Sequence, residues 1–581
     1  MGCYPSRAHS ASTVASSSTA ATTANGVRTK AVEAEKPQLF LQETTELHAN
    51  GGVQSSPEEE AAAKWKKQDE TRDLGKGNLG VTSQRKLAKV LKKMSKLRDG
   101  HLYQDSKHFP PVDSSIFFNA ERARGEIKWM SPSQMAKEPK LLVDGVSRDD
   151  IMQGSLGDCW FLSACAVIAQ NKKLMRKVIP EQQLLYGDGY KGVVRFRFWR
   201  FGEWVDVFVD DLLPTQNGQL MFAHCADKRE YWVSLLEKAY AKLHGCYEAI
   251  EGGQSMDALV DLTGGIAQRH ELKDSKQKDD ALFDRLIKAL KSPGTFITCS
   301  KEGTYQGKQP VKSSTGLIAG HAYSITGAER IKHRGNPENL IRVRNPWGSG
   351  QEWNGAWADT DYRWNQVDDA TRKRLQYDKK EDGEWWMSFH DFRKNFQEVT
   401  VCTLGPDFDR DGNSMEAHEL CRMLLIHGKW ETGISAGGCR NDIKLFATNP
   451  QYLLTVYEAD DEGDQKCDVV IGLMQEHRRS NKHQGVKMLQ IAFLVYPTQD
   501  PNNRLTQQEL TTTKEAGRSG VYVNFREVVG RFDLAPGYYV IIPTTYDSHQ
   551  PGTFIIRVYA AKKVELKMLE PQKRRASQLS R

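Results

Sequence analysis

Cys159 stands where a polar loop turns into an apolar run, in QGSLGDCWFLSACAVIAQ, residues 153–170. From Trp160 onward almost every residue is apolar, the pattern of a helix enclosed by protein. Gly154, Ser155, Gly157 and Asp158 are loop and cap residues. Cys159 therefore falls at a helix N-terminus, where free backbone N–H groups and the dipole favour an anion. A thiol there is pushed toward the thiolate that attacks carbonyl carbon. A small core cysteine is the plainer reading, and Cys165, flanked by Ala164 and Ala166, fits it well. A base elsewhere in the chain decides the matter.

In AGHAYSITG, His321 follows Gly320 at the start of a strand-like run, and in RVRNPWG, Asn345 ends another run before Pro346 and Trp347. Cysteine nucleophiles use such a set. Imidazole takes the thiol proton, and an amide oxygen accepting from the other ring N–H holds the useful tautomer. Trp347 is placed to shield that hydrogen bond from water, and Gln153 to donate its amide to an oxyanion beside the Cys159 N–H. Singly, His321 reads as a core histidine, Asn345 as a turn residue and Trp347 as core; together they predict nucleophilic catalysis.

The elements that must position these groups are α and β. VVRFRFW and EWVDVFVDD alternate as strands, and YWVSLLEKAYAKLHG reads as an amphipathic helix. EGGQSMDALVDLTGG looks like a junction or hinge. DDALFDRLIKALKS reads as a helix, and GTFITCS, GHAYSITGAERI and NLIRVRNPW as strands. From about residue 426 the chain turns to short β runs: DIKLFAT, QYLLTVYEA, DVVIGLMQE, MLQIAFLVY, GVYVNF, GYYVIIPTTY and TFIIRVYA. Such runs without helices predict a sandwich.

With 581 residues the chain exceeds one core, and roughly three or four domains are expected. Its 81 basic and 74 acidic residues leave +7, which with no zinc-ligand spacing or stacking motif argues against a nucleic-acid binder. The ten cysteines are scattered, which suits a reducing compartment. No stretch approaches the roughly 18 apolar residues of a membrane span, and the residues after Met1 are small and polar, unlike a secretory signal. A cytoplasmic location is the expectation.

These stretches closely resemble the calpains, calcium-dependent cysteine proteases of the papain-like kind. The likeness covers about residues 101–562 and rests on QGSLGDCWFLSA, FGEWVDVFVDDLLPT, WVSLLEKAYAKLHGCYEAIEGG, GHAYSITG, RVRNPWGSGQEWNGAW and DGEWWMSF. It implies a multidomain α+β protein, with a papain-like two-subdomain cysteine protease core followed by an all-β calpain-type sandwich. The expected division is a disordered extension over 1–100, subdomains over 101–264 and 265–403, a linker over 404–425, the sandwich over 426–562 and a basic tail over 563–581. The resemblance makes Cys159, His321 and Asn345 the triad, with Gln153 in the oxyanion hole and Trp347 beside the catalytic pair. Gly253 and Gly320 match cleft glycines whose backbone lies against an extended protein substrate.

Calcium needs about six to eight hard oxygen ligands in flexible loops. LLVDGVSRDDI with Glu230 is one candidate set, and QEWNGAWAD with EDGEWW another; by composition alone these acids merely cap turns. The resemblance assigns Val143, Gly145, Asp150 and Glu230 to a first calcium site, and Glu352, Asp359, Lys380, Asp382 and Glu384 to a second. It links the two through an ion pair of Arg148 with Glu384. DFDRDGNSMEAHEL, residues 407–420, starts like an EF-hand loop but has His418 where a bidentate Glu belongs. It reads as a linker. No later segment resembles EF-hands, so an atypical member is expected, without a small EF-hand subunit as partner.

The competing readings are a calpain-like scaffold or membrane-bound calcium sensor, and a lipid-binding sandwich carrying the core as passenger. KRRAS offers Ser577 to a basic-directed kinase. MGCYPS fits N-myristoylation at Gly2, with Cys3 a palmitoylation candidate; one acyl chain binds membranes marginally and two bind stably. Gly2→Ala is therefore expected to move the protein from membranes to cytosol, and Cys3→Ser to do so partly, as read by cell fractionation. An unmodified N-terminus by mass spectrometry in a myristoylating cell would end that expectation.

Overall fold

The computed structural model describes residues 102–119, 125–272, 279–292, 294–303, 313–348, 352–405, 423–460, 465–476 and 486–570, with 81–83 and positions 92 and 96. The expectations for Gly2, Cys3, the 407–420 segment and Ser577 lie outside the described residues.

In the first half, strands Val193–Arg200 and Glu203–Asp210 pair antiparallel, with Phe196 opposite Val207. The alternation of VRFRF puts Val194, Phe196 and Phe198 inside. Val81–Ser83 adds to the outer edge by pairing with Val205–Val207. This corrects the expectation that 1–100 has no ordered segment, because the unpaired N–H and C=O groups of an edge strand accept any extended stretch.

Helices Lys172–Val178, Trp232–His244 and Ser255–Thr263 pack on this hairpin, and a fourth, Cys159–Ile168, packs on the last of them. Helix Ser255–Thr263 corrects the hinge reading of the glycine-rich stretch. Every residue of this helix is buried, and Gly264, with φ 72°, ends it in the left-handed conformation that suits glycine. Phe161 stacks on Tyr240 at 4.2 Å, locking helix Cys159–Ile168 to helix Trp232–His244. The lysines of the latter are buried on carboxylates, Lys238 on Asp210 and Lys242 on Asp105.

The second half is a six-stranded antiparallel sheet in the order Glu384–Ser388, Asn336–Arg344, His321–His333, Thr295–Lys301, Glu398–Thr403, Ile266–Glu271. Helix Asp279–Lys291 packs on the central strands, burying Leu282, Phe283 and Leu286.

Beyond it lie two sheets. One runs Leu424–Trp430, Gly552–Ala560, Cys467–Gln475, Glu527–Leu534; the other runs Gly517–Arg518, Ile491–Thr498, Gly537–Thr545, Tyr452–Val456, Val564–Met568. Their inner faces share a core of Trp430, Tyr452, Ile471, Phe493 and Phe554. Several expectations are corrected here. DIKLFAT holds a helical turn, Ile443–Phe446, because Asp442 Oδ1 caps the N–H groups of Lys444 and Leu445 at 3.0 Å. A second helix, Gln507–Thr512, starts with a Thr506–Glu509 capping box. GVYVNF makes only a single bridge, Val523 to Ile491. The 563–581 tail begins as a strand, Val564–Met568, paired along Tyr452–Val456.

Two arginines join the sandwich to the first half. Arg526 Nη1 meets Asp261 Oδ1 at 2.7 Å, and its Nη2 donates to the Asp257 carbonyl at 3.0 Å. Arg557 Nη1 donates to the carbonyls of Gly264 and Gly265, both at 3.1 Å, while its other nitrogens hold Glu527. Removing one partner of a buried pair strands the other, at about 3–5 kcal/mol. Arg526→Ala should lower the unfolding free energy by about that much in urea titrations; a loss below about 1 kcal/mol would show that this contact does not hold the domains together.

Candidate active site

The hairpin of His321–His333 and Asn336–Arg344 turns at Arg334 and Gly335, both with positive φ (52° and 83°), the conformation of a two-residue hairpin loop. Its register pairs Ser324 with Arg344. Continued by one residue, this places Asn345 diagonal to His321 on the same face. His321 Nε2 and Asn345 Oδ1 are 2.8 Å apart, with both residues buried. The Trp347 N–H also donates to Asn345 Oδ1, at 3.1 Å, so two donors fix which end of the amide is oxygen. The Trp347 ring lies 5.3 Å from that of His321, and Tyr323 meets it edge-on at 4.8 Å. Burial pushes the His321 imidazole down to about 4, with the Asn345 hydrogen bond opposing the shift. The ring is neutral at pH 7.

Cys159 begins the buried helix Cys159–Ile168, which packs against His321–His333. Ser324 Oγ donates to the Ser163 carbonyl at 2.9 Å, and the Gln153 N–H to the Pro346 carbonyl at 3.1 Å. Gly348, at φ 71°, comes so near Met152 that a Cβ would lie 2.3 Å from its sulfur; only glycine fits that seam. The Gln153 amide is turned onto its own loop, donating to the Leu156 carbonyl at 2.6 Å and facing Asp158 Oδ1 at 3.4 Å. The Gly252 N–H donates to the Gly157 carbonyl at 2.8 Å, tying the turn that carries Gly253 to the loop before Cys159. Gly320 has φ 66° and donates its N–H to the Lys301 carbonyl at 2.7 Å.

Sequence reasoning took Asp158 for a cap and gave Glu237 no role. Asp158 makes no side-chain cap bond. Both are buried, and burial raises both carboxyls, with the charge of Asp158 raising Glu237 further. An acidic residue inside the helical run WVSLLEKAY was the available signal.

Of the acids in the calcium readings, Glu230 Oε1 accepts from the Val143 N–H at 2.6 Å, and Asp150 Oδ2 accepts from Ser147 N–H and Trp232 Nε1 at 2.8 and 3.1 Å. Gly145 turns this loop at φ 97°. Burial, with the charges of Asp150 and Asp227, pushes Glu230 up to about 7. In the other group, burial and the charges of Glu352, Asp382 and Glu384 push Asp359 up to about 8. Asp359 Oδ2 is buried with no hydrogen-bond partner, although the Lys380 N–H serves the same carboxylate. A mutually repelling carboxylate group with an orphaned oxygen fits a hard cation. Among the described residues, however, no three His, Cys, Asp or Glu side chains converge as a formed metal cage. Arg148 Nη2 meets Glu384 Oε2 at 3.0 Å, while Thr326 donates to Oε1 at 2.6 Å. A second tie, Arg344 to Asp149 at 3.2 Å, was not foreseen.

A buried histidine–asparagine pair beside a cysteine-headed helix, followed by a β-sandwich, is the architecture of a cysteine protease with an added domain. The family model described as "Calpain family cysteine protease" matches residues 103–403, and the one described as "Calpain large subunit, domain III" matches 426–559. Calpain-9 of Homo sapiens is 40% identical over 467 residues, covering 80% of this chain and 66% of that protein. The calpain-2 catalytic subunit of Mus musculus is 39% identical over 489 residues, covering 82% and 68%. The chain belongs to the calpain family of cysteine proteases, and it spans about two thirds of the length of the curated relatives it matches.

The low His321 value has a testable sign. With the folded imidazole near 4 and the unfolded one near 6.5, the unfolded state binds more protons between those values. Stability is then present above about 6.5 and lost as pH falls toward 4. In a Cys159→Ala background, which has no thiolate counter-charge, the fall in unfolding free energy from pH 7 to 4.5 should be about 2 kcal/mol smaller for His321→Gln than for its parent. Equal falls would show that His321 titrates normally.

Proposed function

We propose that this chain is a calcium-dependent endopeptidase that performs limited cleavage of protein substrates, with Cys159, His321 and Asn345 as its working groups. The observation that carries this reading is the buried 2.8 Å contact of His321 with Asn345, at the end of the strand on which the Cys159 helix packs. Asn345 Oδ1 can only accept, so His321 Nε2 carries the hydrogen and Nδ1 is left as the base. Nδ1 takes the Cys159 proton and the thiolate attacks the scissile carbonyl carbon. The oxyanion receives hydrogen bonds from the Cys159 N–H and from Gln153, once its second amide hydrogen turns from Asp158. Collapse breaks the C–N bond, and the imidazolium protonates the leaving amine. A water, giving its proton to Nδ1, then hydrolyses the thioester to a carboxylic acid and restores the thiol. Trp347 covers the His321–Asn345 bond, and the Gly253 and Gly320 backbones border an extended substrate.

Calcium is the ion suited to the two acid-rich loops. Val143, Gly145, Asp150 and Glu230 would hold one ion; Glu352, Asp359, Lys380, Asp382 and Glu384 would hold the other, with Val143, Gly145 and Lys380 using backbone carbonyls. Its chemistry there is to neutralise repelling carboxylates. Arg148, reaching Glu384 across the seam, would couple that neutralisation to the meeting of Cys159 with His321. Acyl anchoring at an inner-leaflet membrane through Gly2 and Cys3 belongs to the same proposal.

The test is casein cleavage by the full chain in reductant, with and without calcium. Cys159→Ala should abolish cleavage, and Asn345→Ala should lower kcat by about a hundred- to ten-thousandfold. Arg148→Ala should flatten the calcium dose response. Cleavage by Cys159→Ala removes the nucleophile assignment; equal cleavage in excess chelator removes calcium dependence.

A further inference from the structure

In the second half, Thr295 lies opposite Thr403, Thr403 opposite Ile266, Val401 opposite Gln268 and Val399 opposite His270. Alternate residues of a strand share a face. On this face, with helix Asp279–Lys291 and Arg531 of the sandwich, they line a cavity of about 40 Å³ where the second half meets the sandwich. Leu282, Leu286, Val399 and Val401 give it apolar walls, among which stand Gln268, His270, Arg285 and Thr295. Thr295 is 8% exposed, and its Oγ1 is buried with no hydrogen-bond partner. Among the described residues the side chains of Gln268, His270 and Arg285 likewise make no hydrogen bond or ion pair, and no Asp or Glu lines the cavity. A guanidinium donates and never accepts, and a hydroxyl, an amide and an imidazole each donate as well. A buried donor without an acceptor is costly. Burial, with the charges of Arg285 and Arg531, lowers the His270 imidazole to about 4, so the ring is neutral within a positive field.

We infer that this cavity is a binding site for a small carboxylate. One water needs about 10–15 Å³ of such space, so the cavity takes about three water-sized groups, a carboxylate with its first carbon atoms. Arg285 meets the two carboxylate oxygens with its planar fork, Thr295 and Gln268 donate to the same oxygens, and the alkyl part lies along Leu282, Leu286 and Val399. Phosphate or sulfate fits less well, because it sets doubly charged oxygens against aliphatic walls. The lining shares no residue with the groups proposed for catalysis, so the ligand is an effector and not a substrate. It sits beside the contact of Ile266 with Val470 and Tyr559 of the sandwich, and its charge draws Arg285 of the core and Arg531 of the sandwich toward one point.

Saturation-transfer NMR on the full chain, with propionate as the probe, tests the site. A saturable signal with a millimolar Kd is expected, weakened at least about tenfold in Arg285→Met, which loses charge-assisted bonds, and about threefold in Thr295→Val, which loses a neutral one. Equimolar phosphate should leave the signal in place. Thermal melting shows which variants are folded, and Thr295→Val, which keeps the side-chain shape, carries the test if Arg285→Met does not fold. No saturable signal from the parent chain, or an unchanged Kd in a folded Arg285→Met or Thr295→Val, overturns the site. Displacement of propionate by equimolar phosphate overturns the choice of a carboxylate.

Discussion

A helix with no polar face is stable only where other elements enclose it completely, and every residue of Cys159–Ile168 is buried. One half of the core cannot enclose it alone. Helix Ser255–Thr263 covers one side, and strands Thr295–Lys301 and His321–His333 from the other half cover another. The enclosure forces the first residue of the helix to the seam between the halves, beside the strand that starts at His321. The helix that Cys159 begins thus lies against the strand that His321 begins because an apolar helix needs two partners.

The seam is fastened by charges. Arg148 and Arg344 cross it to Glu384 and Asp149, and Arg526 and Arg557 carry the sandwich onto the first half. Buried ion pairs add little net stability over apolar contacts, yet an unpaired member is costly, so they specify which surfaces meet. Glu384 has a double position. It grips Arg148, and its charge is among those raising Asp359. A change of charge in that acid group therefore acts on the carboxylate that ties the two halves.

Two acid–base environments lie close to Cys159. His321 is buried with only neutral hydrogen-bonding and aromatic partners, and burial keeps it neutral. Among the described residues Asp158 and Glu237 have no cation to offset burial, which raises both carboxyls, and the charge of Asp158 raises Glu237 further. In both cases the low-dielectric surroundings select the protonation state, and the hydrogen-bond partner selects the atom that holds the proton.

The sequence by itself determined whatever is written in local periodicity. The apolar run after Cys159, the strands at His321 and Asn345 and most strands of the sandwich follow from patterns of adjacent residues. It misread DIKLFAT, because one Asp442 cap outweighs an alternating pattern, and KVELKM, whose charges suit the exposed face of an edge strand. The glycine-flanked stretch read as a hinge became the helix Ser255–Thr263 once tertiary packing buried it. Only the fold decided two further long-range pairings, Arg344 with Asp149 and Arg526 with Asp261. No local pattern encodes them, because a charged side chain shows its type in the sequence while its partner, and so its proton, is set by burial and by what the topology brings within reach.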